Sequence, residues 1–507
     1  MGLTLYGLLI VTSVVQATSF QHLAERALSD SYDYVIIGGG TAGITLASRL
    51  SADNFQSTGT VLVIEAGLPD DYEAAVMIPH FYPGASGFAP NTRYDWNLTS
   101  ISQKFLSGQT INLTQGHTVG GSSTVNAMIF GRGMPSNYDA WAALGNAGWD
   151  FAGLLPYFIK FSPGPGLEVN RVEARKEVIV SAGALNTPKL LQLSGIGPAF
   201  LTSQHGILSI VDLPGVGANL QDHPFGLMLA SLSTGIPGNY ELENSTFDAE
   251  QKDLYYSERK GRWTDTIAEA LAFIPLSNFT QSDVTGRLLS AISSSTAEYL
   301  PEDTDQTVKD GYSRQVKQIL QMHQGNSTAG MELLYVDGGR SIVNILMHPL
   351  SRGTIAINST DPFAPPVIDP RYLSHPYDGQ VLVESLRFNR KLLATQQVEA
   401  LGATETLPGV DITSDSDILE FIKGVSSTEY HYAGTCAMLP RPLGGVVDSN
   451  LNVHGIDGLR IVDASIMPLL PSAHTQATVY AIAEKVKLSP YASNDVNAAD
   501  IIVKQYS

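Results

Sequence analysis

The most informative segment is Asp33-Tyr34-Val35-Ile36-Ile37-Gly38-Gly39-Gly40-Thr41-Ala42-Gly43. An apolar, β-branched run leads directly into glycines spaced Gly-x-Gly-x-x-Gly, and a helical pattern of apolar residues follows. This order predicts a strand, a tight turn and a helix. In such a unit Gly38 permits the turn, Gly40 lets a pyrophosphate approach the backbone, and Gly43 lets the helix pack closely on the strand.

A second strand pattern completes the unit. Val61-Leu62-Val63-Ile64 ends at Glu65, about 20 residues beyond the glycines, where a dinucleotide site places an acid against a ribose hydroxyl. A glycine fingerprint alone is a weak signal, because ordinary glycine turns match it. The strand and the acid together favour a dinucleotide site over a plain turn with a surface glutamate.

The composition limits the class of protein. A chain of 507 residues is long enough for two or more domains. Its 43% hydrophobic and 16% charged residues are typical of a globular protein. The net charge of −19 argues against a nucleic-acid partner, because a polyanion would be repelled. The single cysteine, Cys436, excludes an internal disulfide and is interpreted as a packed thiol.

The N-terminal segment indicates the cellular destination of the protein. Residues 3–15 are apolar but too few to span a bilayer, and Val15-Gln16-Ala17 resembles a small-residue cleavage site. We predict a signal peptide over residues 1–17; because no basic residue precedes the apolar run, a buried helix is the alternative. We therefore expect a secreted or secretory-pathway protein, destined for the medium, the vacuole or the cell wall, with no membrane span. Glycosylation sequons support this route at Asn97, Asn112, Asn244, Asn278, Asn326 and Asn358.

Two further segments contain glycines beside polar groups. In residues 115–133, Gly120-Gly121 precedes a run of hydroxyl residues, which suits contact with a phosphate or a polar ring edge. Residues 177–180 predict a strand, and the following helix is predicted to have Thr187 as its N-cap and Pro188 as its first residue.

Residues 116–133 and 183–197 resemble the two signatures of the glucose–methanol–choline (GMC) flavoprotein oxidoreductases, in particular the fungal aryl-alcohol oxidase and secondary-metabolite branches. The resemblance implies FAD as the dinucleotide, which the glycine fingerprint alone leaves undecided. It implies an α/β fold: a Rossmann-like FAD-binding domain and a second, substrate domain of antiparallel sheet plus helices. The implied domains are FAD-binding over 31–224 (shortened around 161–176), substrate over 225–430, and FAD-binding with the catalytic histidine over 431–507.

His431 and His474 occupy the positions where this resemblance places an active-site pair. To oxidise an alcohol, a base with a pKa near neutral must take the hydroxyl proton while hydride moves to flavin N5, and histidine suits this role. A second polar group holds the hydroxyl in place. Most of the 11 histidines are expected to be structural. We predict His431 as the base and His474 as its partner, with a helix cap as the alternative role for His474.

The resemblance also implies the cofactor contacts, and we predict no metal. Beside Gly38, Gly40 and Gly43 these contacts are Thr41, Ala42, Glu65 and Ala66 towards the ADP half, Gly121, Ser122, Asn126, Ala127 and Met128 along the pyrophosphate and flavin, Asp463 and Ala464 at the ribityl chain and diphosphate, and Gln476 and Ala477 near the pyrimidine edge.

Two features depart from the family pattern. Only residues 161–176 separate a helix from the strand before the second signature, where the family has a longer segment. Residues 486–497 interrupt the final helix. The shortening at residues 161–176 would leave sheet edges unpaired and the cofactor partly uncovered. Both are either real remodelling or errors in deriving the protein from its gene.

The sequence thus predicts an FAD-dependent alcohol oxidase or dehydrogenase. Its substrate would be a small aromatic, sugar-like or secondary-metabolite alcohol, and oxygen or a quinone would be the electron acceptor. Two alternatives stay open: a non-redox lyase or cyclase on the same scaffold, and a catalytically impaired, shortened homologue that binds no FAD.

Overall fold

The computed structural model describes residues 31–51, 60–81, 92–158, 173–233, 236–266, 268–325 and 327–486. The predicted signal peptide, most of the shortened segment and nearly all of the C-terminal insertion lie outside these residues, as does Asn326. The strands are β1 Ser31–Ile37, β2 Val61–Ile64, β3 Leu98–Thr99, β4 Asn112–Leu113, β5 Glu173–Val180, β6 Ile196–Gly197, β7 Val211–Asp212, β8 Pro224–Ser231, β9 Ala268–Ile274, β10 Met331–Val336, β11 Ser341–Leu346, β12 Thr354–Ala356, β13 Val367–Asp369, β14 Thr404–Leu407, β15 Ser427–Thr428 and β16 Leu459–Ile461. The α-helices are α1 Thr41–Leu50, α2 Ala74–Met77, α3 Pro135–Ala143, α4 Phe151–Phe158, α5 Gly183–Leu193, α6 Ala199–Gln204, α7 Ser245–Glu258, α8 Leu276–Phe279, α9 Ser282–Ser293, α10 Gln306–Gln324, α11 Pro376–Leu393, α12 Gln396–Glu399, α13 Asp415–Val425 and α14 Gln476–Lys485.

A parallel sheet with strand order β16-β5-β1-β2 contains the glycine fingerprint. In its register Ile37 lies opposite both Ile64 and Val180. Such near-continuous Val and Ile runs are typical of strands that helices cover on both faces. The predicted strand, turn and helix are confirmed as β1 and α1, and β2 has the predicted bounds.

The predicted start of the helix after β5 is wrong. Helix α5 begins at Gly183, and Thr187 lies inside it. Gly183 has a φ of +79°, which lets the chain turn directly from strand into helix. The carboxylate of Asp463 accepts hydrogen bonds from the Gly183 N–H at 3.0 Å and from the Thr187 hydroxyl at 2.6 Å. The start of the helix is therefore held by a residue that lies about 280 positions away in sequence. Local capping rules consider only residues next to the helix end and cannot predict such a contact.

An antiparallel sheet with strand order β14-β8-β11-β10-β9, and β15 paired on β8, arises within the segment predicted as the substrate domain. Helices α11 and α13 pack on one face. Side chains alternate between the faces of a strand, so Glu332, Leu334 and Val336 of β10 share the opposite face. Val343 lies across from Leu334 on that same face.

One continuous core joins the two sheets, running from Ile36 in β1 and Ile461 in β16 to Leu333 in β10. A buried ion pair between Arg460 of β16 and Glu177 of β5, at 2.6 Å, links two neighbouring strands that are far apart in the chain. Within the described ranges no helix combines the length and the apolar character needed to cross a membrane.

Candidate active site

The carboxyl ends of the parallel strands meet at one edge, where a cavity of about 700 Å³ opens. Gly38 follows β1, Glu65 follows β2, Ser181 follows β5 and Asp463 comes shortly after β16, and all four line this cavity. Ligands of open α/β sheets bind outside this edge of the sheet. The position and the size of the cavity suit a large cofactor.

The fingerprint glycines have separate roles. A Cβ on Gly38 would lie 2.3 Å from the Ser181 carbonyl oxygen, and one on Gly43 would lie 1.9 Å from the Gly38 carbonyl oxygen. These two glycines permit backbone packing. A Cβ on Gly40 would meet only Gly121, at 3.8 Å. Because Gly40 is the N-cap of α1 and makes no side-chain hydrogen bond, the first-turn amides of α1 remain available to an anionic ligand.

Glu65 holds the turn around the fingerprint. Its carboxylate accepts hydrogen bonds from the Gly39 N–H at 2.6 Å and from the Gly67 N–H at 2.8 Å. Burial raises the pKa of Glu65, against the lowering effect of these amides. The predicted ribose-binding acid thus lines the cavity in a fixed orientation.

The second glycine segment lies directly on the first. The Gly120 N–H donates to the Gly39 carbonyl at 2.9 Å, and a Cβ on Gly121 would lie 2.7 Å from the Gly40 Cα. Further along, the Asn126 amide donates to the Gln476 side-chain oxygen at 2.8 Å. This contact brings together two predicted cofactor residues that are remote in sequence.

Fifteen of the predicted site residues therefore line this cavity, and three do not. Gly43 acts in packing, Met128 is 43% exposed outside the cavity lining, and Ala477 is buried beneath it. Those on the cavity wall are Gly38, Gly40, Thr41, Ala42, Glu65, Ala66, Gly121, Ser122, Asn126, Ala127, His431, Asp463, Ala464, His474 and Gln476.

Three polar groups on this wall lack partners. The Ser181 hydroxyl, the Asn186 amide nitrogen and the Tyr432 hydroxyl are buried and form no hydrogen bond within the described part of the chain. A buried polar group without a partner is costly, so such groups on a cavity wall fit a ligand that supplies the missing bonds. Together with the open space at Gly40, this fits a bound dinucleotide.

His431 has a defined proton arrangement. His223 Nε2 lies 3.0 Å from the Met347 carbonyl oxygen, which can only accept, so His223 carries its proton on Nε2. Neutral His223 therefore accepts at Nδ1, and His431 Nδ1, at 2.9 Å, must be the donor. Burial lowers the pKa of His223 to about 3. Burial, with smaller contributions from the nearby His474 and His223, also holds the pKa of His431 well below its usual value.

The consequence for His431 is that its Nε2 carries a lone pair. This nitrogen makes no hydrogen bond with the residues that the structure describes, and the ring lines the cavity. A neutral imidazole with its basic nitrogen free is arranged to accept a proton.

His474 stands beside it in a different electrostatic setting. The two ring centroids are 4.8 Å apart and the rings are perpendicular. His474 Nε2 lies 2.9 Å from a carboxylate oxygen of buried Glu332. Burial alone would lower the pKa of His474, but the hydrogen bond and charge of Glu332 raise it overall. The pair thus combines a neutral imidazole with one that favours the charged form.

Asp222 anchors the loop that carries His431. One carboxylate oxygen accepts from the backbone N–H groups of His223 and His431, at 2.9 and 2.8 Å. The other accepts from the hydroxyls of Tyr372 and Thr428. Because Thr428 ends β15, this network ties the loop to the edge of the antiparallel sheet. Burial raises the pKa of Asp222 to about 6, against these hydrogen bonds.

The antiparallel sheet closes the cavity with an apolar surface formed by Phe225, Leu334, Val336 and Val343. Aromatic side chains of Trp96, Tyr430 and Tyr432 line it elsewhere. The space beside the two histidines therefore suits a ligand with an apolar body.

Sequence reasoning missed His223, Asp222, Glu332 and Glu429. The first two stand together in Asp222-His223-Pro224, a paired acid and histidine in a turn, which was a usable signal. Glu332 had none, because it looks like any polar residue in an alternating strand. Its role appears only when β10 is folded across His474.

Comparison with known proteins agrees with this geometry. The GMC oxidoreductase family models match residues 32–171 and 159–225 with an N-terminal part and residues 349–483 with a C-terminal part. Among curated proteins, the dehydrogenase xptC of Emericella nidulans is 29% identical, with 91% of this chain and 93% of that protein aligned. The alignment spans 594 residues, more than the 507 of this chain, so the relative carries segments that this chain lacks.

Solved structures give the same result. An FAD-dependent oxidoreductase from Chaetomium thermophilum is 29% identical and superposes with a TM-score of 0.84, covering 94% of this chain and all of that one. A fungal aryl-alcohol oxidase is also 29% identical, with a TM-score of 0.80 over the same shares of the two chains.

Proposed function

Because this chain belongs to the GMC oxidoreductase family, with FAD as its cofactor, we propose that it oxidises the CH–OH group of a small alcohol. FAD, when bound, supplies the hydride acceptor. The observation that carries the proposal is the His431 ring, whose Nδ1 proton is committed to His223 and whose Nε2 lone pair remains free at the cavity.

The chain's own residues would hold the cofactor along the carboxyl edge of the parallel sheet. Gly40, Thr41 and Gly121 offer backbone amides and close approach to a pyrophosphate, and Glu65 offers carboxylate oxygens to a ribose. Asn126 and Gln476, joined by their side chains, offer polar contacts to a ring edge. Asp463 contributes indirectly, because Gly183, Thr187 and Ser465 already occupy its carboxylate.

His431 acts as the general base. Its Nε2 takes the hydroxyl proton of the alcohol, and its place against His223 keeps that nitrogen in the unprotonated tautomer. His474, with its charge supported by Glu332, stabilises the negative charge that develops on the alcohol oxygen. The two perpendicular rings, whose centroids are 4.8 Å apart, would fix the orientation of the hydroxyl between them.

The apolar sheet surface selects the substrate body. Phe225, Leu334 and Val343 offer no hydrogen bond to a sugar ring but pack well against an aromatic or aliphatic group. We propose an alcohol of this kind, including an aromatic or secondary-metabolite alcohol, and oxygen or a quinone as the final electron acceptor.

We also propose that the protein follows the secretory route as a glycoprotein. Supporting this are the predicted leader and the exposure of the sequon residues Asn97, Asn112, Asn244, Asn278 and Asn358. The measurement is the mass shift of the protein secreted by a fungal host after glycosidase treatment; retention of unglycosylated protein inside the cell would oppose the proposal.

The test of the reaction is an ultraviolet–visible spectrum of purified protein, followed anaerobically after addition of each member of a panel of benzylic and aliphatic alcohols. We expect oxidised flavin absorbance that bleaches with the right alcohol, and a His431→Ala protein that binds FAD but bleaches about 10²–10⁴-fold more slowly. Turnover with the flavin remaining oxidised would indicate lyase or cyclase chemistry, and absence of flavin would indicate a non-catalytic homologue.

A further inference from the structure

Glu429 is an ionisable group on the cavity wall that the proposed reaction does not use. It follows β15 on the loop that carries His431, and its backbone N–H donates to the His223 carbonyl at 3.0 Å. Its carboxyl lines the cavity together with His431 and His474. The carboxyl group forms no hydrogen bond or ion pair with other residues in the described ranges. The backbone is fixed while the side-chain oxygens are left to whatever enters the cavity.

The surroundings of Glu429 are rich in acids. Glu332, Asp222 and Glu429 itself interact electrostatically, and Tyr430 adds a further ionisable group. The neighbouring cation is His474, which is already paired with Glu332. Burial, more than the neighbouring acids, raises the pKa of Glu429 to about 8, against the lowering effect of His474. At neutral pH the free protein therefore holds Glu429 mainly as the neutral acid.

A purely structural role does not account for this carboxyl. A structural carboxyl normally accepts hydrogen bonds from the protein, as Asp222 does with four donors. Glu429 instead is half-buried and lines the same cavity as Phe225, Leu334 and Val343, and a carboxyl without a partner becomes costly there once a ligand displaces water. A ligand that supplies a donor to Glu429 removes this cost.

We propose that Glu429 is a substrate-binding residue that selects alcohols carrying a protonated amine. This rests on the proposed alcohol oxidation, since it names the substrate class for the same site. A cationic group that enters the cavity forms a charge-assisted hydrogen bond with the ionised carboxylate of Glu429. The proton that Glu429 carries in the free protein is then released into solvent. A substrate carrying a carboxylate finds no free cation here, because the charge of His474 is already paired with Glu332.

The first test measures binding without turnover. Benzylamine, benzyl alcohol and benzoate are titrated into FAD-loaded protein by isothermal calorimetry, at pH 7 and in two buffers of different ionisation enthalpy. We expect benzylamine to bind tightest, with release of about 0.9 proton per molecule bound, as a group with a pKa of about 8 requires. In Glu429→Gln, which keeps the size of the neutral acid, we expect benzylamine affinity to fall about 10- to 150-fold and proton release to vanish.

The matched control is Glu420→Gln, the same substitution on the exposed surface of α13, where the carboxylate pairs with Lys423. We expect it to bind benzylamine as the wild type does. Equal benzylamine affinity in the wild type and Glu429→Gln would overturn the inference.

The second test measures selectivity in turnover. Wild type and Glu429→Gln are compared by anaerobic flavin bleaching with 4-(aminomethyl)benzyl alcohol and 4-methylbenzyl alcohol. We expect the ratio of kcat/KM for the amine over the methyl compound to fall at least about tenfold in Glu429→Gln. An unchanged ratio would refute selection by Glu429 while leaving alcohol oxidation in place. If no alcohol bleaches the flavin, the reaction proposal fails, and the calorimetry still decides the role of Glu429.

Discussion

Replacing His223 with leucine tests whether a hydrogen bond fixes the tautomer of the catalytic base. In the native arrangement the Met347 carbonyl determines the proton position on His223, and His223 in turn determines that on His431. Leucine removes the acceptor from the His431 Nδ1–H, which then lies buried without a partner. The tautomer with its proton on Nε2, which cannot act as the base, becomes more favourable by the energy of the lost bond.

The size of the effect follows from the bond. A buried donor left without its acceptor costs about 1–3 kcal/mol, which corresponds to a loss of about 5- to 150-fold in the fraction of correctly protonated His431. We therefore expect His223→Leu to lower the rate of flavin reduction by that factor at pH 7. The apparent affinity for the alcohol should change little, because the substrate does not touch His223. The assay is anaerobic stopped-flow reduction across a range of alcohol concentrations.

Two further variants separate the tautomer from packing. His223→Gln places a side-chain carbonyl near the position of the lost acceptor and should recover part of the rate. His323→Leu is the matched control, because His323 is a buried histidine whose two ring nitrogens form no hydrogen bond in the described part of the chain. It should reduce flavin at the wild-type rate. If His223→Leu reduced flavin within twofold of the wild type while retaining FAD, the tautomer argument would be refuted.

Three other perturbations have defined outcomes. Gly43→Ala would put a Cβ 1.9 Å from the Gly38 carbonyl oxygen, so the expressed protein should carry less than half the wild-type FAD per chain, read from the ratio of flavin to protein absorbance; full occupancy would contradict the packing role. Glu332→Gln removes the carboxylate that raises the pKa of His474 against the effect of burial. His474 should then lose its charge at a lower pH, so the fall in the rate of flavin reduction with rising pH should begin at a lower pH than in the wild type. Coincident pH profiles would show that the charge on His474 is not used. Finally, acidification from pH 6.5 to 5 should lower the free energy of unfolding of the apoprotein by more than about 1 kcal/mol per pH unit, measured by urea titration. The unfolded chain binds protons near pH 6.5 at histidines that burial keeps neutral in the fold, and this effect exceeds the opposite effect of the groups whose pKa values are raised, which include Asp222, Asp378, Glu429, Glu65, Asp463 and His474; stability that rises over this interval would refute the assignment. The histidines are His223, His323, His348, His375 and His431.

The sequence by itself determined the cofactor-binding unit. The β1 run, the three spaced glycines and the strand ending at Glu65 are local patterns, because each glycine is required by a backbone contact within the same strand–turn–helix unit. The resemblance to the family also predicted His431 and His474 as an active-site pair, and both line the cavity.

Only the tertiary structure decided how those residues can work. The start of α5 depends on Asp463, the proton position on His431 depends on the Met347 carbonyl, and the charge on His474 depends on Glu332 of a sheet strand. Each is a contact between segments far apart in the chain, whose partners carry no local pattern. The physical reason is that proton positions and pKa values follow from burial and neighbouring groups in space, which chain order does not encode.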